Sequence, residues 1–295
     1  MIHVIINPVS GAGANSNAAA KRAAMVEAAA RQRGVGFTIN FTERQGHARE
    51  LADAAVRGGA AAVLIWGGDG TFNEAAGALI GTSIPAGLIP AGSGNGLAGA
   101  LGVPRDPAAA LDVAFGRRQR IIDAGTMAGR VFFNIAGIGF DARVATLFNK
   151  RAAGTRGGWP YIAIGIREGC RYCAVDYDVC LDDTPLKYKA LLLAFANGRE
   201  YGLGARIAPS AELDDGLLDA VVVEERGVIS RFWHARHLAK GTPHLAPMVT
   251  MRKVRHAVIE SPGPMEFHVD GEPGVARDRI EVEVIPRALL IRVPQ

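Results

Sequence analysis

The feature that most narrows what this chain can fold into is Gly67-Gly68-Asp69-Gly70-Thr71, set between an apolar run at 60–66 and Phe72-Asn73-Glu74. The run has the length of a buried strand. Thr71-x-x-Glu74 fits the capping-box pattern that opens a helix. The glycines therefore fall where a strand turns into a helix, and there exposed backbone N–H groups and the helix dipole attract phosphate. Asp69 is the odd member, because a carboxylate beside a phosphate is repulsive unless a divalent cation or a proton in transfer lies between them. The stretch points to a nucleotide site that works with a metal.

The residues around it repeat the same plan. A strand at 2–7 runs into a glycine-bearing loop, 8–16, followed by an alanine-rich helix at 17–33. A second strand at 36–41 ends at Thr42, a helix occupies 49–57, and an apolar strand at 84–89 runs into Pro90-Ala91-Gly92-Ser93-Gly94-Asn95. Such alternation predicts a mostly parallel sheet with helices on both faces. Ligands bind such sheets at the carboxyl ends of the strands, so three glycine loops gathered on one edge form one phosphate site. No Gly-Lys-Ser/Thr follows a glycine loop, which excludes a Walker-type P-loop, and Gly11-x-Gly13 is only a weak match to the dinucleotide fingerprint.

After Asp123 the texture changes to short β-type runs separated by turns: 131–136, 175–181, 186–196, 217–223, 256–259, 265–269, 280–285 and 289–293. These predict an antiparallel sandwich or barrel-like second domain, interrupted by helical inserts near 158–172 and 228–240. At 295 residues the chain can hold two domains, each with its own core. A net charge of +4 is compatible with acidic partners and selects none. No apolar run reaches the ~18–20 residues of a membrane span. The N-terminus reads as a strand rather than a signal peptide, so a cytoplasmic protein is expected. Cys170-x-x-Cys173 and the separate Cys180 lack the two further ligands a zinc site needs and read as incidental thiols.

Taken together, Asn7-Pro8-x-Ser10-Gly11, Gly67-Gly68-Asp69-Gly70-Thr71, Pro90-x-Gly92-Ser93-Gly94-Asn95, Asp214-Asp215-Gly216 and Asp270-Gly271-Glu272, in that order, resemble the diacylglycerol kinase catalytic-domain family of lipid kinases, which includes sphingosine kinases. The resemblance covers nearly the whole chain. It implies an α/β N-terminal domain at 1–122, with a Rossmann-like parallel sheet of the NAD kinase and diacylglycerol kinase type. It also implies a mainly antiparallel β-sandwich domain at 123–287, a final strand at 288–295 that returns to the first domain, and an active site in the cleft.

Roles follow from the resemblance. ATP and Mg²⁺ are the implied cofactors. Asn7, Pro8, Ser10, Gly11, Thr42, Gly67, Gly68, Gly70, Thr71, Asn73, Glu74, Gly92, Ser93, Gly94 and Asn95 line the nucleotide pocket, with Asp69 as its magnesium end. Glycine lets backbone approach the triphosphate without a Cβ clash. Glu272 is the implied general base; read from the residues alone, it is a turn residue after Asp270-Gly271. Glu212 and Leu217, through carbonyls, and Asp215, through its side chain, map onto a structural magnesium site whose oxygen-only ligands suit a hard cation. Read from the residues alone, that segment is an acidic hairpin turn. Asp123 and Asp141 are candidates for contact with the substrate head group or with magnesium-bound water; read from the residues alone, each has a local structural role as its alternative.

The expected partners are a membrane lipid substrate and an anionic membrane surface. The basic and aromatic residues in 150–171 and 226–256 suit such a surface, and would place the protein peripherally on the inner face of the membrane. They suit nucleic acid equally by composition, but no nucleic-acid motif accompanies them. A homodimer is left open. The reading is an ATP- and magnesium-dependent lipid kinase acting on a diacylglycerol-like or sphingoid-like hydroxyl. The alternatives are a kinase for a soluble substrate such as NAD, or a nucleotide-binding regulatory protein without turnover.

Overall fold

A run without one polar side chain, Ala62–Gly67, is buried along its whole length, as a strand must be when its sheet is covered on both faces. In the computed structural model, which describes residues 1–11, 16–149, 168, 172–202, 205–225, 227, 236–237 and 240–295, that strand is central to the first of two compact units. The first unit is Met1–Ile122 with Arg287–Gln295, and the second is Asp123–Pro286.

The first unit alternates β1 (Ile2–Ile6), α1 (Ser16–Gln32), β2 (Phe37–Phe41), α2 (His47–Arg57), β3 (Ala62–Gly67), α3 (Asp69–Gly77), β4 (Ala86–Pro90), α4 (Gly96–Leu101) and α5 (Pro107–Phe115). Its strands are parallel in the order β4-β3-β1-β2. The carboxyl ends of β1, β3 and β4 therefore lie side by side. Local chemistry sets the helix starts: Asp106 caps α5 by accepting from Ala109 N–H at 2.9 Å, with Pro107 in the first turn.

The capping box expected at Thr71 is not formed. Helix α3 begins at Asp69 with Gly68 as its N-cap and no side-chain cap, so Thr71 already lies inside the first turn. Its Oγ1 instead accepts from Asn7 Nδ2, and the Glu74 carboxylate accepts from Gly46 N–H. Both side chains tie α3 to neighbouring loops rather than to its own end.

The second unit is antiparallel. It comprises β5 (Gln119–Met127), β6 (Arg130–Phe132), β7 (Ile135–Gly139), α6 (Phe140–Asn149), β8 (Val175–Leu181), β9 (Thr184–Ala196), β10 (Leu218–Glu224), β11 (Val249–Val254), β12 (His256–Glu260), β13 (Met265–Val269), β14 (Glu272–Ala276) and β15 (Arg279–Arg292). Strands β5 and β15 each cross a unit boundary, and Ile291 of β15 pairs in parallel with Ala86 of β4 in the first unit. Strand β9 pairs with β8, β7 and β10, and its apolar run serves two cores. Leu193 and Phe195 pack with Ala220 and Val222 on one face, while Leu192 and Ala194 pack with Val221 and Val223 on the other. Side chains alternate across a strand, so a run apolar at every position has to be buried on both faces.

Two strand expectations change. The run at 131–136 breaks into β6 and β7 because the Asp270 carboxylate draws the N–H groups of Phe133, Asn134 and Ile135 toward itself. The runs at 280–285 and 289–293 are parts of one strand, β15, which continues through Pro286 and Arg287. Helix α6 was not foreseen, and most of the helical inserts near 158–172 and 228–240 lies outside the described residues.

Phe195 is 1% exposed at the centre of this packing. Phe195→Ala is expected to destabilise the protein by about 3–5 kcal/mol, read as a shift of the denaturant midpoint.

Candidate active site

At the carboxyl edge of the first unit's sheet, three loops interlock through backbone. After β1, Asn7 N–H donates to Trp66 O at 2.9 Å and Asn7 Nδ2 donates to Thr71 Oγ1 at 2.8 Å, joining the first loop to α3. After β3, Gly67 O accepts from Ala91 N–H at 2.8 Å. The Asp69 carboxylate accepts from Asn95 N–H at 2.9 Å, which joins α3 to the loop after β4. Asn95 also braces its own loop, accepting from Gly92 N–H at 2.8 Å and donating to Gly92 O at 2.7 Å.

Glycine is required here for loop-on-loop contact. A Cβ on Gly92 would stand 2.8 Å from Gly68 Cα, and one on Gly11 would stand 2.5 Å from Ala91 O. Gly11 also has φ +85°, a left-handed conformation that favours glycine. Ser10 is buried, and its hydroxyl donates to Asn7 O at 3.0 Å. Thr42 closes β2 by donating its N–H to Ile6 O, while Pro8, Gly70, Asn73, Ser93 and Gly94 are half-buried around the same edge.

Arg22 of α1 is a residue the sequence reading missed. Its guanidinium donates to Asn7 O at 2.6 Å, Ser10 Oγ at 3.1 Å and Ser10 O at 2.8 Å, and lies 5.9 Å from the centre of the Trp66 ring. Burial lowers its pKa from the usual arginine value. Nothing local marked it, because the contact depends on α1 folding back over the loop that precedes it.

In the second unit, the Asp-Gly-Glu stretch forms a two-residue hairpin between β13 and β14. Asp270 has φ 48° and Gly271 φ 85°, positive at both positions as a type I′ turn requires. Glu272 is the first residue of β14, paired with Val269 and half-buried. The Asp270 carboxylate accepts from Phe133 N–H at 2.8 Å and from Asn134 N–H and Ile135 N–H at 3.0 Å each. Asn197, fully buried and also missed from sequence, donates to Asp123 O at 2.9 Å and Phe133 O at 2.8 Å.

Asp123 and the 212–217 segment do come together: the buried Asp123 carboxylate accepts from Gly216 N–H at 2.7 Å. Asp215 accepts from Leu217 N–H at 3.0 Å and is ion-paired with Lys253, whose ammonium also lies 3.7 Å from Asp219. Partial burial works against the Lys253 charge, but the hydrogen bond to Asp215 and the charges of Asp219, Asp215 and Glu212 outweigh it and raise the lysine pKa. A divalent ion held by Glu212 O, the Asp215 carboxylate and Leu217 O would meet an ammonium already in contact with its only charged ligand. As they stand, these side chains do not fit the magnesium site that the resemblance implies. Asp141 lies apart from this turn, buried on α6, where it accepts from Tyr201 OH at 2.8 Å and faces His268 Nε2 at 3.2 Å.

Comparison with known proteins agrees with this layout. Residues 1–127 match the diacylglycerol kinase catalytic domain, and residues 134–293 match the YegS C-terminal NAD kinase beta sandwich-like domain. The chain is 32% identical to a diacylglycerol kinase of Mycobacterium tuberculosis, over 100% of this chain and 95% of that protein. It is 30% identical to a protein named "Probable lipid kinase YegS-like" from Chromohalobacter salexigens, over 90% and 86%. A crystal structure of a diacylglycerol kinase from Bacillus anthracis shares the fold with a TM-score of 0.73 at 18% identity, covering 99% of this chain and 96% of that one. The chain belongs to the diacylglycerol kinase catalytic-domain family of lipid kinases, and it is a kinase.

Lys253→Met is expected to lower stability by roughly 1–3 kcal/mol, because it strips the cation from buried Asp219 and from Asp215. In thermal melts, millimolar magnesium restores part of that loss in the variant and leaves the native midpoint unchanged. A magnesium-dependent rise in the native protein, removed by Asp215→Asn, would instead establish a divalent site at this turn.

Proposed function

We propose that this kinase transfers the terminal phosphoryl group of ATP, with magnesium, to the hydroxyl of a diacylglycerol-like or sphingoid-like lipid. We place it peripherally on the inner face of a membrane. The observation that carries the reading is the interlocked edge formed by the loops after β1, β3 and β4. It gathers glycine-rich backbone and an acidic side chain at one edge, an arrangement that suits a phosphate-bearing ligand with a cation.

In this reading Gly67, Gly68, Gly92 and Gly94 with their neighbours cradle the phosphates, while Asn7, Ser10 and Thr42 line the nucleotide. Asp69, at the N-terminus of α3, offers the hard oxygen donor that suits magnesium. Magnesium, when bound, offsets the negative charge of the phosphate oxygens. Phosphoryl transfer asks the protein chiefly for positioning and charge stabilisation, and the bonds among Asn7, Thr71, Asp69 and Asn95 hold these groups before any ligand arrives.

Glu272 is the general base. As the substrate oxygen bonds to phosphorus and ADP leaves, the carboxylate accepts the hydroxyl proton, a contribution of ~10²- to 10⁴-fold. Asp270 is unsuited to that role, since three backbone N–H groups already occupy its carboxylate. The lipid preference is supported by an open pocket of about 570 Å³ in the second unit, whose walls combine Tyr172, Val175, Tyr177, Met265 and Val275 with the charged Arg143 and Glu266. Burial, with the nearby charges of Asp141 and Glu266, pushes the Tyr172 phenol up to about 12, so it is neutral at ordinary pH. Among the described residues no helix is long and apolar enough to cross a membrane, in keeping with peripheral attachment.

Labelled ATP incubated with extracted lipids is expected to yield a phosphorylated lipid, identified by mass spectrometry. Label passing to NAD and to no lipid would overturn the substrate class. Glu272→Gln is expected to cut kcat by at least a hundredfold, within the range of a lost general base, with ATP affinity retained; near-native turnover would remove Glu272 from the mechanism.

A further inference from the structure

His268, the last residue but one of β13, sits between Asp141 and the Asp270-Gly271 turn. It is 3% exposed and Asp141 is 6% exposed. The ring spans two contacts: Nε2 lies 3.2 Å from Asp141 Oδ2, and Gly271 N–H points at Nδ1 at 3.3 Å. A backbone N–H can only donate, so Nδ1 is the lone-pair nitrogen, and Nε2 carries the proton it gives to Asp141. Asp141 is itself fixed by Tyr201 OH at 2.8 Å and by Ala142 N–H at 2.8 Å. On the other side of the turn, Asn149 Nδ2 donates to Gly271 O at 2.8 Å.

The placement of these two turn contacts matters. Gly271 N–H belongs to the peptide between Asp270 and Gly271, whereas Gly271 O belongs to the peptide that leads into Glu272. Both peptide planes flanking the glycine are therefore held, at a residue whose lack of a Cβ leaves the backbone unusually free and permits its φ of +85°. A flip of either plane would redirect the chain where Glu272 leaves the turn.

We infer that His268, oriented by Asp141 and Tyr201, is a positioning residue for Glu272. It acts as a neutral Nδ1 acceptor that fixes the turn from which the base projects. The inference rests on the reading of Glu272 as general base. It also gives Asp141 a role in orienting the histidine, which differs from the head-group contact expected of it. A misplacement of about 1 Å at a reacting group can cost on the order of 10²-fold in rate, so loss of this acceptor should be read in kcat rather than in nucleotide binding.

Two amide substitutions separate the contacts. In His268→Asn the side-chain oxygen falls near Nδ1 and can still accept from Gly271. In His268→Gln the amide reaches toward Asp141 but places no acceptor under the turn. With ATP and the lipid identified by the screen, assayed well below each unfolding temperature, Gln is expected to lower kcat at least tenfold with KM for ATP unchanged. Asn is expected to stay within about threefold of native, in keeping with retention of the Gly271 bond. Equal activity of the two, or a loss confined to KM, overturns the inference. Long-range ¹⁵N–¹H spectra of histidine-labelled native protein test it without any variant: a His268 Nδ1 that carries the proton would also overturn it. Glu272→Gln separates the layers. Near-native kcat there removes the base and this inference together, whereas a dead Glu272→Gln with no ranking of Asn over Gln removes this inference alone.

Discussion

The first unit depends on one close approach, that of Gly68 to Gly92. A Cβ on either residue would stand 3.2 Å or less from the Cα of the other. Only with both side chains absent can the loop after β3 lie against the loop after β4. That contact lets Asp69 reach Asn95 N–H and lets Ala91 N–H reach Gly67 O. Parallel order brings the three strand ends to one edge, but strand order alone leaves the loops several ångströms apart. The glycines turn neighbouring loops into one surface, and so their first role is steric within the protein.

The second unit has a corresponding hub in the Asp270 carboxylate. By accepting from three consecutive N–H groups, it ends β6, starts β7 and fixes the hairpin that carries Glu272. Asn197 extends the same polar core to Asp123, and Asp123 extends it to the turn at Gly216. Buried polar groups of this kind are costly unless satisfied. A connected set of them specifies one backbone arrangement where apolar packing alone would tolerate several.

How much of this was legible follows from the range of each signal. The alternation of strand and helix up to residue 122, the glycine loops and the β-rich second half are local patterns, and the fold carries them. Thr71-x-x-Glu74 was misread because its spacing satisfies a capping box, while contacts to Asn7 and Gly46 took both side chains elsewhere. Arg22, Lys253, Asn197 and His268 were invisible for a different reason. Their partners are brought close only by folding, as with the 74 residues between Asn197 and Asp123, and a lone basic or amide residue has no periodicity to betray it. The strand break at 133–134 was hidden in the same way, since its cause lies 136 residues away in Asp270.

The acidic residues of the motifs can now be sorted by what occupies their oxygens. Asp270 is taken by backbone, Asp123 accepts from a turn N–H, Asp215 is paired with an ammonium, and Asp141 is bound to a phenol and faces an imidazole. Each of these contacts ties its carboxylate to one backbone arrangement. Asp69 likewise accepts from a backbone N–H, that of Asn95, and differs in its place, at a helix N-terminus among glycine loops, while Glu272 begins a strand immediately after a pinned turn. A motif with two acids, such as Asp-Gly-Glu, thus divides its labour: the first acid fixes the turn from within, which leaves the second to act from a defined position.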